Sequence, residues 1–114
     1  GIDYSQSLLS IAEQNLKRIS AENYTLVQAD ASQVNFDFGK KINIFYMYNP
    51  FNEIVMEQVL ENIRTHDSVI IYNNPVHGDL LLEKGYQQVK NQKTWHPNAD
   101  YGVFSIINES RRAA

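Results

Sequence analysis

"NIFYMYNPFNEI", residues 43–54, decides how this chain is read. It opens on a nearly unbroken apolar and aromatic run, breaks at Asn49-Pro50, and resumes at Asn52 with helical spacing. With Ile42 included, the run predicts a parallel strand covered on both faces, because such strands dispense with polar alternation. In "NEIVMEQVLENIRTH", Val55, Val59 and Ile63 fall on one line with Met56 and Leu60 beside it, which predicts a helix. Glu53 and Glu57 stand early in that segment and Arg64 and His66 late, the order that suits the helix dipole. "SVIIYNNP", 68–75, is a second buried strand closed by a second Asn-Pro. Strand, helix and strand with short connections make a right-handed parallel unit.

Outward from this unit the same grammar continues. Residues 5–19 predict a helix whose core face is Leu8, Ile11, Ala12, Leu16 and Ile19, with Ser5 as N-cap. "YTLVQ", 24–28, is β-branched and aromatic enough for a strand, and "GIDYS" at the start reads as a strand tail entering the first helix. "HGDLLLEKG" predicts a short helix closed by Gly85, where the backbone must turn left-handed. "YQQVKNQK" and "YGVFSIINE", joined by the turn-rich "TWHPNAD", predict a final hairpin that adds an antiparallel strand at one edge.

Composition narrows the function classes. Hydrophobic residues at 43% and charged residues at 20% place the chain among globular proteins. A net charge of −3 provides no basic footprint, so there is no clear nucleic-acid signal. Without cysteine, thiolate catalysis and Cys-based zinc sites are excluded. No run of about 18 apolar residues predicts a membrane span, and a cytoplasmic protein is the default expectation. His66, His77 and His96 lack metal-ligand spacing.

The element order and three of its loops resemble the class I S-adenosylmethionine-dependent methyltransferases, across residues 1 to about 109. "GIDYS" is similar to the end of the family's second strand, where an acid holds the cofactor's ribose hydroxyls. "LVQADAS" is similar to the loop after the third strand, where an Asp contacts the adenine amine. "YNPF" is a looser form of the Asn-Pro-Pro-aromatic signature of enzymes that methylate amines. The closing hairpin matches the reversed seventh strand. The resemblance implies a mostly parallel Rossmann-like sheet with S-adenosylmethionine as cofactor. It implies Asp3, Tyr4, Asp30 and Ala31 as cofactor-binding residues, with Asn49, Pro50 and Phe51 holding a methyl acceptor of unknown identity. Ligands of open α/β sheets bind at the carboxyl ends of strands, where all three loops are expected to lie.

Two departures shape the expectation. The signature has one proline, not two, and the glycine-rich loop after the family's first strand has no counterpart among the five scattered glycines. The reading is therefore a single incomplete domain over 1–114 that lacks its central first strand and is impaired in catalysis as it stands. Such a gap leaves two inner edges unpaired, which favours association through strand edges. The alternatives are a non-catalytic interaction module that completes its sheet with another chain and a nucleotide-dependent oxidoreductase. Plainer readings also exist for each loop. Asp3 and Asp30 serve as turn or cap residues, and Pro50 opens a helix at its first position. Trp95 is expected to pack, and Phe45, Tyr46, Met47 and Tyr48 to lie in the core.

Overall fold

The computed structural model describes residues 1–36, 42–48, 50–64 and 67–107. They form two compact units, Gly1–Val34 and Asn35–Ala114. The first contains β1 (Ile2–Asp3), α1 (Gln6–Arg18), β2 (Val27–Gln28) and a 3-10 turn at Ala31–Gln33. The second contains β3 (Asn43–Tyr48), α2 (Glu53–Ile63), β4 (Ser68–Asn73), α3 (Gly78–Glu83), β5 (Gln87–Gln92), a 3-10 turn at Pro97–Ala99, and β6 (Tyr101–Ile106).

In the first unit β1 and β2 pair in parallel, Ile2 with Val27 and Asp3 with Gln28. Ser5 caps α1 as the sequence predicts, its Oγ accepting from the Leu8 N–H at 3.3 Å. The buried stripe differs from the expected one. Leu9 is buried and Ala12 and Leu16 half-buried, while Leu8, Ile11 and Ile19 are exposed. Two-residue strands offer too little surface to cover the wider apolar face that the sequence carries.

In the second unit the order is β3-β4-β6-β5. β3 and β4 are parallel, and β6 runs antiparallel to both β4 and β5. Three strands thus share one direction. The reversed strand sits inside the sheet, and β5, not β6, forms the edge. The residues from position 108 onward of the last predicted strand lie outside the described residues.

Alternation along β4 sends Ser68, Ile70 and Tyr72 into the core, and they are joined there by Phe104 and Met47. Met56, Val59, Leu60 and Ile63 of α2 and Leu81 of α3 complete it, so the helical spacing read from the sequence is the buried face. Asn52 caps α2 by accepting from the Val55 N–H at 2.9 Å. Lys84, just after α3, pairs with Glu57 and Glu61 of α2 at 3.3 and 2.6 Å, which ties both helices to one side of the sheet. Gly85 turns with φ 97°, as its position at the helix end predicts. Gly102 is required by packing, since an added Cβ would lie 2.7 Å from the buried Phe104 ring.

The opposite face of the sheet is more open. Ile44, Tyr46 and Tyr48 of β3 are exposed, at 71%, 66% and 52%. This corrects the expectation that the 42–48 run is covered on both faces and that Tyr46 and Tyr48 are core. β3 is a sheet edge, so the burial its composition calls for is not supplied by the second unit. Among the described residues no helix is long and apolar enough to cross a membrane.

Tyr86 and Ser68 form a buried hydroxyl pair at 3.0 Å. Burial pushes the Tyr86 phenol from 10.0 up to about 12, with the Ser68 bond pulling weakly the other way. Buried Tyr72 is raised in the same direction by the same cause. Below pH 10 the phenol is neutral in both folded and unfolded states, so its contribution is intact. As pH rises from about 10 to 12 the unfolded chain loses the proton first and stability falls, by roughly 2–3 kcal/mol for Tyr86. Urea titrations across this range should show that loss. In Tyr86→Phe the alkaline fall should flatten, while neutral-pH stability drops about 1–3 kcal/mol because the Ser68 hydroxyl loses its partner. Gly102→Ala should cost about 1–3 kcal/mol through the clash with Phe104.

Candidate functional site

The first unit sets both predicted acids at one end of its strand pair. Asp3 ends β1 and pairs with Gln28, and its carbonyl accepts from the Ala29 N–H at 3.0 Å. Asp30 therefore lies two residues beyond Asp3's partner, at the same end of the parallel pair. The Asp3 Oδ1 accepts from the Ser5 N–H at 2.8 Å, which fixes the carboxylate at the entry to α1. The Asp30 Oδ1 accepts from the Ser32 hydroxyl at 2.7 Å and the Ser32 N–H at 3.0 Å. Those two bonds hold its carboxyl below the usual range, the hydroxyl contributing most.

Both acids thus have the turn roles of the plainer reading. Each uses one oxygen for its turn, and Oδ2 accepts none of those bonds. Tyr4 is exposed beside Asp3, and Ala31 is the first residue of the 3-10 turn, so its N–H lies outside the turn's own pairing. The set consists of anchored acceptors, a flat ring and one amide donor. It suits a ligand that donates hydrogen bonds from hydroxyls or an amine, and it disfavours an anionic group at that end.

A hollow of about 430 Å³ lies elsewhere in this unit, between α1 and β2, lined by Leu9 and Leu26 with Gln6, Ser10, Glu13, Gln14 and Gln28. It includes neither Asp3 nor Asp30. Glu13 is the one charged residue of its lining, so it has no convergent charged pair and the strand ends are the better candidate.

In the second unit the carboxyl ends of the parallel strands β3 and β4 form a rim. Asn49 lies outside the described residues, as does His66. Pro50 is exposed and Phe51 half-buried. Pro50 does not open α2: the helix begins at Glu53 with Asn52 as its cap, so Pro50-Phe51 is a distinct bend between strand and cap. At the end of β4, Asn74 takes the left-handed conformation with φ 50°, which Asn tolerates. The buried Tyr72 hydroxyl accepts from the His77 N–H at 3.2 Å.

The 93–100 hairpin loop is fastened to this rim. The Tyr48 hydroxyl donates to the Asn98 carbonyl at 2.8 Å, and the Asn74 N–H to the Asp100 carbonyl at 2.8 Å. The packing role expected of Trp95 is not found, since the side chain is 91% exposed and has His96 edge-on at 5.4 Å. The fastening was not read from the sequence. Thr94 and Asp100 signal a turn, but nothing local says that Tyr48, fifty residues away along the chain from Asn98, holds it. Among the described residues there is no group of three or more His, Cys, Asp or Glu that could hold a metal ion.

Comparison with known proteins yields structure and not sequence relationships. No protein-family model matches the chain, and no curated protein matches it. Solved structures that do match include the PH0226 protein from Pyrococcus horikoshii OT3, at 15% identity and a TM-score of 0.65 over 94% of this chain and 70% of that one. Another is an rRNA methylase from Streptococcus thermophilus, at 16% identity and a TM-score of 0.55 over 91% of this chain and 69% of that one. At such identities the likeness is one of fold. The chain has a mixed α/β architecture of the Rossmann-like methyltransferase kind, its sheet running mostly one way with an antiparallel hairpin.

Proposed function

We propose that this chain carries the adenosyl-binding and acceptor-holding parts of an S-adenosylmethionine-dependent methyltransferase. The observation that carries the reading is that Asp3 and Asp30, each anchored in its own turn, follow β1 and β2 at one end of the parallel pair in a chain of methyltransferase fold. S-adenosylmethionine, when bound, supplies an electrophilic methyl group on a sulfonium. Asp3 would accept from the ribose hydroxyls and Asp30 from the adenine amine, with the Ala31 N–H toward a ring nitrogen. The Tyr4 ring would lie on the adenine face. Asn49, Pro50 and Phe51 would hold the acceptor. A neutral amine needs alignment and exclusion of water more than a base.

The 114 residues carry no glycine-rich cradle for the methionine end, so affinity should reside in the adenosyl end and turnover by this chain alone should be impaired. Calorimetric titration with S-adenosylhomocysteine tests the assignment. Asp3→Asn keeps an oxygen for the Ser5 N–H but turns the other carboxylate oxygen into a donor, so the fold should persist. Affinity should fall about 10- to 100-fold, as for loss of a bond to a charged group. Equal affinity in wild type and Asp3→Asn, or no binding by wild type, would end the assignment.

A second reading has its own observation: the two edges of the four-stranded sheet are unlike. β5 is exposed, polar and bulged between Gln88 and Lys90, as natural edges are. β3 has no charge, and its exposed residues are Ile44, Tyr46 and Tyr48. We infer that β3 is an interior strand by composition and takes a further strand, from a second copy if no other is at hand. Sedimentation velocity should show concentration-dependent association that Ile44→Lys abolishes. A well-folded wild-type monomer at all concentrations would refute it.

A further inference from the structure

α1 has two unlike flanks on either side of the line Leu9, Ala12 and Leu16. One carries the exposed Leu8, Ile11 and Ile19. The other carries Gln6, Ser10, Glu13 and Gln14, which recur at helical spacing and wall the hollow of about 430 Å³ beside β2. Leu26, just before β2, and Gln28 within it line the other side, two residues apart as one face of a strand requires. The volume suits a small molecule.

The polar atoms of this lining are chiefly acceptors. The Ser10 hydroxyl donates to the Gln6 carbonyl at 3.0 Å, so its proton is used within the helix. Gln6 Nε2 donates to Ser10 Oγ at 3.4 Å and Gln28 Nε2 to the Tyr4 carbonyl at 3.4 Å, which leaves Oε1 of both amides outside those bonds. Glu13 supplies the one charge. The Tyr24 hydroxyl bonds its carboxylate, and Lys17 Nζ lies 3.4 Å from its Oε1. The Lys17 side chain is 71% exposed, and such a surface pair is weak enough for a better placed cation to displace. Beside these acceptors stand Leu9, which is buried, and Leu26, which is half-buried. An anion would meet Glu13 with no cation in the lining to offset it. A wholly apolar ligand would strip water from the carboxylate and the amides and return no bond.

We propose that the hollow between α1 and β2 binds a small aliphatic monoamine, its ammonium on Glu13 and the Gln6 and Gln28 oxygens and its hydrocarbon against Leu9 and Leu26. The lining includes neither Asp3 nor Asp30, and the proposal does not rest on the methyl-transfer reading. Isotope-labelled protein is titrated at neutral pH with n-hexylamine, n-hexanol and n-hexanoate, following the amide resonances of Ser10, Glu13 and Leu26. Hexylamine should shift them saturably. Hexanol should half-saturate at about fivefold higher concentration, for want of the ion pair, and hexanoate higher still. Glu13→Gln keeps the shape and an acceptor oxygen. It should raise half-saturation by hexylamine about fivefold and leave that of hexanol unchanged, a split that unfolding would not produce. Gln14→Lys, at an exposed position, sets an ammonium of the chain next to Glu13 and should weaken hexylamine likewise. Equal half-saturation by amine, alcohol and carboxylate would mark unselective apolar contact and overturn the proposal. Unchanged hexylamine affinity in Glu13→Gln, or shifts that never saturate, would do the same. Shifts confined to the Asp3 and Asp30 turns would put the amine at the strand ends and also overturn it.

Discussion

A strand inside a sheet must find hydrogen-bonding partners on both sides, and among the described residues of the second unit β4 and β6 do so. Everything else there is arranged around that pair. β4 presents Ser68, Ile70 and Tyr72 to the core, and Phe104 of β6 lies in the same layer, so α2 and α3 have a continuous surface to cover. Lys84 joins the two helices through Glu57 and Glu61. The same pairing sends β3 and β5 to the edges, where their side chains are treated differently. β5 is polar apart from Val89, whereas β3 keeps the composition of a strand with neighbours.

The candidate site residues are held by short-range polar bonds more than by burial. Asp3 and Asp30 are exposed or nearly so, and each is fixed by a bond from a residue two positions on. That arrangement orients each carboxylate toward its turn and leaves its second oxygen outside those bonds. The 93–100 loop follows the same logic with Asp100, whose carboxyl is held low chiefly by the Thr94 N–H and further by its hydroxyl and Lys93. Turn roles and binding roles are therefore compatible in Asp3 and Asp30, whose Oδ2 takes no part in the turn bonds, whereas Asp100 Oδ2 faces Lys93 at 3.6 Å.

Much of the fold was legible because it is written in local periodicity and end signals. The buried line of α2, the Ser5 cap, the turn at Gly85 and the strand at 68–73 all follow from residues within one or two turns of each other, whereas the Asn52 cap of α2 was not read from the sequence. The site was legible only in part. Asp3, which ends β1, and Asp30, two residues beyond β2, could be singled out because each follows a strand, and parallel pairing sets both at one end of the pair. The exposure of Trp95 was not legible, since an aromatic residue in a loop reads the same whether it packs or projects.

The sequence by itself determined the kinds of elements, their order and the acids in the turns that follow β1 and β2, because spacing and capping act over a few residues. Tertiary structure alone decided which faces are covered. It exposed Leu8, Ile11 and Ile19 on α1 and left Ile44, Tyr46 and Tyr48 on an edge. It also inserted β6 between β4 and β5 and bound the hairpin loop to Tyr48. Burial depends on which surfaces meet, and an apolar pattern records what a strand or helix is fit to contact, not whether the contact is made.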